Sequence, residues 1–282
     1  MGSFAVTGKP LNVLITGASS GIGRALANEF KARGHHVHAT ARKSSDLAAL
    51  AADGFRAIEL EVTDAASVGN LVQRIADEGT QLDMLINNAG FGAMGPLLDI
   101  SPQTMQRQFD VNVFALLAIT QALVPAMVTR RRGRIVNISS VSGVLPTPFA
   151  GAYCASKAAV NALSDSLRME LAPFGIDVIT VQPGGIRSNF GDTASEQVAL
   201  RAGSLYAPMQ KAIAERATLS QAEATPADEF ARHMVDAVLA DTPEPVVRIG
   251  EKSALMPWLK KWLPEPLLDR ILSKRFNLSQ LG

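Results

Sequence analysis

Residues 12–23 have the sequence NVLITGASSGIG, in which a short apolar run is followed at once by a glycine-rich loop. The run Asn12–Thr16 is typical of a strand that is buried on both faces of a sheet. A helix is predicted from about Ile22 to Arg33, where Gly34 would end it. This order predicts a phosphate-binding turn, because the backbone can approach a pyrophosphate there and the helix N-terminus attracts its charge.

Gly17, Gly21 and Gly23 would form this turn. Their spacing, with three residues and then one residue between glycines, differs from the GxGxxG form of the general dinucleotide-binding fingerprint. Because a glycine loop alone is weak evidence of function, the rest of the chain has to support it.

Strand and helix patterns alternate along the chain, which predicts a parallel sheet with right-handed crossovers. The further strands are expected at 36–41, 56–61, 84–87, 134–138, 177–181 and 245–249, and the further helices at 46–52, 67–77, 102–129 and 153–172. No internal repeat or linker divides the 282 residues. We therefore expect a single α/β domain over residues 1–282, with a Rossmann-type, doubly wound parallel sheet flanked by helices.

Two segments depart from this pattern. Residues 185–225 are rich in small and polar residues just after a strand's carboxyl end, which predicts a lid over a substrate pocket. Residues 251–282 form a C-terminal helical extension that holds both tryptophans among lysines and arginines. Such a segment can touch a membrane surface or a partner subunit, or it can pack on its own domain beside the pocket mouth. Its prolines break any long helix, which favours packing.

Composition and charge exclude several classes of protein. With 47% hydrophobic and 19% charged residues, the chain can bury a sizeable core. A net charge of +1 and the lack of an aromatic-rich basic stripe argue against nucleic acid as a partner. The run Arg130 to Arg132, with Arg134, is better explained as a helix end, where cations are favoured. The single cysteine, Cys154, excludes an internal disulfide and fits a reducing compartment.

The sequence also bears on location and on metals. No continuous apolar run approaches the roughly 20 residues that span a bilayer. The opening MGSFAV lacks a charged signal-peptide head and the Ser or Thr that N-myristoylation expects at Val6. We therefore expect a soluble, cytoplasmic protein. His35, His36 and His38 cluster, but no cysteine or acid at ligand spacing accompanies them, and we expect no metal site.

Tyr153 and Lys157 lie four residues apart, and Ser140 precedes the tyrosine by thirteen residues. On a helix, this spacing puts the phenol and the amine on one face. A lysine ammonium beside a tyrosine favours the phenolate, so that the tyrosine can act as a general acid or base near neutral pH. A lone YxxxK is most often a packed tyrosine and a solvated lysine, but here NNAG at 87–90 and the glycine loop accompany it.

Together these motifs match one family. The chain resembles the short-chain dehydrogenase/reductases of the compact branch in TGASSGIG at 16–23, NNAG at 87–90, the serine, tyrosine and lysine, and PG at 183–184. The resemblance covers residues 11–190 continuously, with all motifs in order. It implies hydride transfer between a nicotinamide cofactor and a carbonyl or alcohol group.

The resemblance implies a role for each matching residue. Tyr153 would pass a proton to or from the substrate oxygen, Ser140 would hold that oxygen, and Lys157 would lower the tyrosine's pKa and bind the nicotinamide ribose. Asn112 would hold a water that links the lysine to solvent, and Ser188 would hold the nicotinamide carboxamide. The other residues implied to contact the cofactor are Gly17, Ser19, Ser20, Gly21, Ile22, Gly23, Glu61 (where many relatives have Asp), Val62, Asn88, Ala89, Gly90, Val111, Pro183, Gly184 and Ile186.

The expected cofactor is NADP, with NADPH preferred over NADH. Dinucleotide-binding folds select NAD through an acid at the end of the second strand, which binds the ribose 2′-hydroxyl. Here residues 40–43 are TARK, with no acid and with a guanidinium, that of Arg42, able to grip a 2′-phosphate. The alternative is that Arg42 and Lys43 are solvated loop charges.

Within the family, the chain looks most like the branch with 17β-hydroxysteroid dehydrogenases, retinol dehydrogenases and acyl-dihydroxyacetone-phosphate reductases. These enzymes act on large apolar molecules, so we expect a hydrophobic ketone, aldehyde or secondary alcohol as substrate. The candidate pocket residues are apolar: Phe91, Met94, Val141, Leu145, Phe149 and Phe190. Arg187 is the exception and would meet an anionic substrate group.

Three further expectations complete the interpretation. A catalytically silent NADP-binding sensor or scaffold is the rival function, which the intact Ser140, Tyr153 and Lys157 argue against. A sugar-nucleotide epimerase of the extended branch is a second rival, which the glycine spacing argues against. Since the family commonly assembles through the long helix and the Tyr153 helix, we expect a homodimer or homotetramer.

Overall fold

Seven parallel strands form the sheet at the centre of the molecule. The computed structural model describes residues 8–187, 200–218 and 224–281. Within these ranges the strands pair in the order β3-β2-β1-β4-β5-β6-β7. They are β1 (Asn12–Ile15), β2 (His36–Ala41), β3 (Arg56–Glu59), β4 (Met84–Asn87), β5 (Gly133–Ile138), β6 (Ile176–Pro183) and β7 (Val246–Ile249).

Helices connect the strands and cover both faces of the sheet. They are α1 (Gly21–Ala32), α2 (Ser44–Ala52), α3 (Ala65–Asp77), α4 (Pro102–Phe109), α5 (Ala115–Arg130), α6 (Gly151–Leu171), α7 (Gln210–Thr218), α8 (Ala227–Leu239), α9 (Leu255–Trp262) and α10 (Glu265–Arg275). This architecture confirms the doubly wound α/β fold predicted from the alternating pattern.

The central strand β1 shows why its sequence is almost continuously apolar. Val13 and Ile15 are fully buried on one face of the sheet, in a core that includes Phe30 of α1 and Phe230 of α8. Leu14 is fully buried on the opposite face, in a core built with α3 and α5. Because both faces are covered, no position of the strand favours a polar side chain.

The order of the strands creates a crevice at one edge of the sheet. From β1 the chain proceeds to β2 and β3 on one side and then returns to β4 on the other side. The loops after β1 and β4 therefore diverge at their carboxyl ends, where open α/β sheets bind ligands. Both the glycine loop and the NNAG motif follow these two strands, at this edge.

The long helix expected at 102–129 differs from the prediction in its hydrogen bonding. A π-turn at Asp110–Phe114 separates α4 from α5. Over Pro102–Arg130 the helical stretch is long and apolar enough to cross a membrane, by length and composition alone. This corrects the expectation that no stretch reaches that length, but half of the apolar window is buried inside the protein, as in the core helix of a soluble protein.

Arg134 lies on the strand predicted at 134–138 and not at the helix end to which the arginine run was assigned. It lies on β5 and is 0% exposed, and its guanidinium pairs with Asp177 of β6 at 2.6 Å. It also donates a hydrogen bond to the carbonyl of Ala240 at 3.0 Å, just beyond α8. The buried charge thus joins two strands and a helix, and α5 ends at Arg130 instead.

The C-terminal extension packs on its own domain through one face. Phe276 is buried with Phe149 and two residues of the α7 region. Trp258 and Trp262, in contrast, are 54% and 62% exposed. Contact of these tryptophans with a membrane or a partner stays a prediction, as does assembly through the long helix and α6, where Phe114 and Met169 are exposed.

His38 on β2 is a buried histidine whose ring nitrogens make no hydrogen bond to the described residues. It is 0% exposed, and neither ring nitrogen has a hydrogen-bond partner in the described part of the chain. Burial, and secondly the charge of Arg56, lower the pKa of His38 from 6.5 to about 4. Between these pH values, the unfolded chain binds a proton on His38 that the folded chain does not bind. His38 therefore costs no stability above about pH 6.5, and it lowers the free energy of unfolding as the pH falls towards 4.

We expect His38→Val to reduce the acid sensitivity of the fold. Between pH 7 and pH 5, the difference in unfolding free energy should shift by about 2 kcal/mol in favour of the variant, because valine takes up no proton. Urea unfolding at both pH values measures the shift, and His36→Val, at the exposed end of the same strand, is the control. A difference from the parent protein that is the same at both pH values would contradict the explanation.

Candidate functional site

The glycine loop is held by close backbone contacts. Gly17 has a φ of +65°, in the left-handed region that favours glycine. A Cβ on Gly23 would lie 2.3 Å from the carbonyl oxygen of Gly17 and 2.5 Å from the side-chain amide of Asn88. The start of α1 therefore lies against the loop at a distance that excludes any larger residue.

Asn88 of the NNAG motif holds this loop from the neighbouring strand. Its side-chain amide donates to the carbonyl of Thr16 at 2.9 Å and to that of Gly17 at 3.1 Å. In return, the hydroxyl of Thr16 accepts from the backbone N–H groups of Asn88 at 3.0 Å and Ala89 at 2.9 Å. Asn88 thus shapes the cofactor site from within the protein, and its own contact with a cofactor stays a prediction.

The N-terminus of α1 offers unpaired backbone donors to an anion. The first amides of a helix have no intrahelical partner. Ser20, the N-cap residue, makes no capping hydrogen bond with its side chain, and the first turn holds no acidic residue. This end of α1 therefore fits a pyrophosphate, which its amides and helix dipole would bind.

The other predicted cofactor residues lie along the same edge of the sheet. Ser19, Gly21 and Ile22 belong to the glycine loop and the start of α1, Arg42 follows β2, Val62 follows β3, Gly90 follows β4, Val111 lies in the π-turn, and Pro183, Gly184 and Ile186 lie at or after the end of β6. Ser188 and the candidate pocket residue Phe190 lie outside the described residues.

Arg42 and Glu61 form an exposed pair beyond the carboxyl ends of β2 and β3. The guanidinium Nη1 of Arg42 lies 3.5 Å from Oε2 of Glu61. Burial raises the pKa of the Glu61 carboxyl, but hydrogen bonds from Thr63 and the charge of Arg42 outweigh it and lower the pKa. Glu61 is therefore ionised, and the contact of Arg42 with a 2′-phosphate stays a prediction.

Ser140, Tyr153 and Lys157 converge beyond the carboxyl end of β5. Tyr153 lies in the first turn of α6, and Lys157 lies one turn later. The side chains of Ser140 and Tyr153 are hydrogen-bonded to each other. The ammonium of Lys157 donates to the carbonyl of Ile138 at 2.8 Å and lies 5.9 Å from the centre of the Tyr153 ring.

Burial determines the protonation of the tyrosine and the lysine. It raises the pKa of Tyr153 to about 12, although the hydrogen bond to Ser140 and the charge of Arg216 oppose the rise. Burial also lowers the pKa of Lys157 to about 8. The expected lowering of the tyrosine's pKa by Lys157 is not among these effects, since desolvation of both groups dominates. At neutral pH the phenol thus carries its proton and can donate it.

Asn112 connects the loop after β4 to α6. It is 1% exposed and lies in the π-turn, a feature that often occurs at functional sites. Its side-chain Oδ1 accepts from the N–H of Phe91, and its side-chain Nδ2 donates to the carbonyl of Phe91 and to the hydroxyl of Ser156, all at 3.0 Å. Asn112 therefore holds the loop beside Lys157, and its predicted water contact stays a prediction.

Two of the predicted pocket residues, Met94 and Phe149, belong to separate apolar clusters. Met94 packs with Ala150, Cys154 and Tyr153. Phe149 packs with Met209, Ile213 and Phe276, which brings α7 and the C-terminal extension over the site. Val141 and Leu145 are also buried. Arg187 is exposed, and its contact with an anionic substrate group stays a prediction.

Two buried polar residues of the site were not predicted. Gln108 accepts a hydrogen bond from the N–H of Ala93 at 2.6 Å and donates to the carbonyl of Phe91 at 2.7 Å, which fixes the loop after β4. Arg216 of α7 is 9% exposed and acts electrostatically on Tyr153. Neither belongs to a motif, so only the folded arrangement reveals them.

Comparison with known proteins places the chain among oxidoreductases. A sequence profile of the short chain dehydrogenase family matches residues 11–199. The chain is 38% identical over 279 residues to an uncharacterized oxidoreductase, YbbO, of Escherichia coli K12, with 95% of this chain and 96% of that protein covered. It is 40% identical over 184 residues to a 3-ketodihydrosphingosine reductase of Bacteroides thetaiotaomicron, with 65% of this chain and 67% of that protein covered.

Solved structures share the fold over most of their length. A short-chain dehydrogenase from Streptomyces avermitilis has a TM-score of 0.79 at 29% identity, covering 97% of this chain and 98% of that chain. One from Burkholderia phymatum in complex with NAD has a TM-score of 0.74 at 27% identity, covering 87% and 90%. One from Sphingobium yanoikuyae in complex with NADPH has a TM-score of 0.68 at 26% identity, covering 96% and 95%. Similar structures thus bind nicotinamide cofactors of both kinds.

We expect Gly23→Ala to weaken binding of a dinucleotide by about tenfold or more, because the added methyl displaces the loop whose amides would bind the pyrophosphate. Titration of the protein with NADPH, followed by cofactor fluorescence, measures the affinity. Gly69→Ala on α3 is the matched control, since a Cβ there meets nothing within 4 Å. Equal affinity in the two variants would contradict this role of the loop.

Proposed function

The chain belongs to the short-chain dehydrogenase family and is an oxidoreductase, and we propose that it transfers hydride between NADP(H) and a hydrophobic ketone, aldehyde or secondary alcohol. The observation that carries this proposal is the convergence of Ser140, Tyr153 and Lys157 beside a crevice whose glycine loop and helix N-terminus fit a dinucleotide. When bound, the nicotinamide supplies or accepts the hydride at its C4.

Ser140 and Tyr153 orient the substrate, and Tyr153 supplies the proton that its oxygen takes up. A carbonyl oxygen between the two hydroxyl groups accepts a hydrogen bond from each. As the carbonyl carbon gains the hydride, Tyr153 gives its proton to the oxygen, so that the C=O bond becomes CH–OH and the tyrosine becomes a phenolate. The same two donors stabilise the negative charge that develops on the oxygen in the transition state.

Lys157 supports this proton transfer by its charge and position. Its ammonium is held by the carbonyl of Ile138 and lies on the same side of α6 as the phenol. After Tyr153 has released its proton, the nearby positive charge stabilises the phenolate. Because burial lowers the pKa of Lys157 to about 8, this charge is present at neutral pH and is lost as the pH rises above that value.

Two features support NADP rather than NAD. The residues after β2 are Arg42 and Lys43, and no acid stands at the position that would bind a free 2′-hydroxyl. Arg42 is exposed and reaches Glu61 only at 3.5 Å, so its guanidinium is accessible to a 2′-phosphate.

An apolar substrate is supported by the surroundings of the tyrosine. Met94 packs against Tyr153, and Phe149 belongs to the apolar cluster with Met209 and Ile213. The similar protein from Bacteroides thetaiotaomicron is named a 3-ketodihydrosphingosine reductase. The alternative is a catalytically silent sensor or scaffold that binds NADP without turnover.

We expect Tyr153→Phe to lower the reduction rate by about 10²-fold to 10⁴-fold, because the variant has no proton to donate. Binding of NADPH should change less than about threefold, since the fold and the glycine loop are retained. NADPH oxidation against steroid, retinoid, acyl-glycerone and small aromatic carbonyls measures the rate. The chain's other tyrosine provides the control, Tyr206→Phe.

The outcomes of this experiment separate the alternatives. Tight NADPH binding without turnover of any carbonyl would favour the sensor or scaffold. A polar sugar that is reduced faster than every apolar carbonyl would contradict the proposed substrate class.

We expect Arg42→Ala to raise the Kd for NADPH about tenfold or more and to leave the Kd for NADH within twofold. The loss corresponds to a charge-assisted hydrogen bond worth roughly 1.5–3 kcal/mol. Isothermal titration with both cofactors measures the two constants, and Arg74→Ala, which removes an exposed arginine of α3, is the control. An equal loss for both cofactors, or a parent protein that prefers NADH, would contradict the NADP assignment.

A further inference from the structure

Arg216 is a buried cation that the proposed mechanism does not use. The residue is 9% exposed, and burial lowers the pKa of its guanidinium. Among the described side chains, no carboxylate lies within ion-pair distance of it, whereas buried Arg134 pairs with Asp177. A buried charge without a counter-ion is costly, so the position calls for a function that requires the charge.

The hydrogen bonding of the guanidinium is incomplete. Its Nη2 donates to the hydroxyl of Thr147 at 2.7 Å, and its carbon lies 5.6 Å from the centre of the Phe276 ring. Its Nε–H is buried and has no hydrogen-bond partner within the described ranges. One hydrogen bond and one ring therefore hold the planar group in place, and the described residues leave its N–H donors incompletely satisfied.

Arg216 lies close to the proton donor of the proposed reaction. The hydroxyl of Thr147, which binds Arg216, is also hydrogen-bonded to Cys154, the residue next to Tyr153. The charge of Arg216 acts on both Cys154 and Tyr153. Through Thr147 and Cys154, the positive charge of Arg216 is thus linked to the first turn of α6, from which Tyr153 would hold a carbonyl.

The surroundings of the guanidinium are apolar. The cluster of Phe149, Met209, Ile213 and Phe276 lies beside it, and these residues offer no anionic partner. A ligand that fits this place therefore combines an anionic group with an apolar body. Arg187, the alternative anion partner, is exposed and lacks this enclosure.

We propose that Arg216 binds a carboxylate or phosphate group that the substrate carries near its reacting carbonyl. This inference rests on the proposed function and narrows its substrate class to anionic, otherwise apolar, carbonyl compounds. The fork of N–H donors suits either anion, because both present paired oxygens. A neutral analogue would leave the buried guanidinium unpaired, which is the strongest way for a site to reject a substrate.

The proposal is tested with matched acids and esters. The substrates are benzoylformate, 3-benzoylpropionate and 4-benzoylbutyrate, each with its ethyl ester, so that charge and the distance between anion and carbonyl vary separately. Two phosphorylated aryl ketones form the second arm and distinguish phosphate from carboxylate. NADPH oxidation is measured for the parent protein and for Arg216→Gln, Arg216→Lys, Arg187→Gln and Arg270→Gln.

For the parent protein, we expect at least one acid or phosphate to exceed its neutral analogue tenfold in kcat/KM. Arg216→Gln should abolish this preference, because the KM for the anionic substrates should rise at least tenfold more than the KM for the esters, and Arg216→Lys should restore part of the preference. Arg270→Gln removes an exposed arginine of α10 and should change nothing. A preference that survives Arg216→Gln, or that is lost in Arg187→Gln instead, would overturn the proposal, as would equal turnover of acids and esters.

A binding measurement separates this proposal from the proposed function. We expect 4-phenylbutyrate to bind the NADPH complex of the parent protein at least tenfold more tightly than 4-phenylbutanol does, and Arg216→Gln to remove the difference. If anion binding depends on Arg216 but no carbonyl is reduced, the proposed anion site is supported and the proposed reductase function is contradicted. If esters are reduced but no anion binding depends on Arg216, the reductase function is supported and the anion site is contradicted. The melting temperature of Arg216→Gln monitors folding, and we expect it not to fall, because the substitution removes a buried charge that has no carboxylate partner among the described side chains.

Discussion

The packing of α6 against the end of β5 is the constraint on which the site depends. The ammonium of Lys157 donates to the carbonyl of Ile138, and the hydroxyl of Ser139 donates to the carbonyl of Lys157 at 3.0 Å. A Cβ on Gly143 would lie 2.6 Å from the backbone of Lys157, so the turn that carries Ser140 lies directly on the helix. These contacts fix Ser140, Tyr153 and Lys157 relative to one another before any ligand binds, which lowers the cost of ordering them during reaction.

The loop after β4 connects Ser140, Tyr153 and Lys157 to the glycine loop. The side chain of Asn112 bonds the backbone N–H and the carbonyl of Phe91. A Cβ on Gly90 would lie 3.1 Å from Oδ1 of Asn112 and 3.7 Å from the Lys157 ammonium. Asn88, two residues before Gly90, holds the glycine loop. A single short segment therefore sets the distance between the pyrophosphate site and the proton donor, and this distance decides where a nicotinamide ring would lie.

Much of the fold and the polar core of the site could be predicted from the sequence, since both depend on local patterns. The apolar run of β1 predicts a strand that is buried on both faces. The spacing of the motifs predicts which edge of the sheet carries the site and that Ser140 converges with Tyr153. The burial of Arg134 and of Arg216 could not be predicted, because it results from packing between elements that are distant in the sequence. The π-turn around Asn112 and the high pKa of Tyr153 likewise depend on how separate elements pack and exclude water.

Transfer of deuterium from the cofactor to the substrate carbon is the measurement that decides whether this arrangement is a hydride-transfer site. The protein would be given NADPH with both hydrogens at C4 of the nicotinamide replaced by deuterium, together with an apolar ketone, and the alcohol would be analysed by mass spectrometry. We expect one deuterium on the carbinol carbon, whichever face of the nicotinamide reacts. Alcohol without deuterium, or no alcohol from any ketone although NADPH binds, would contradict it.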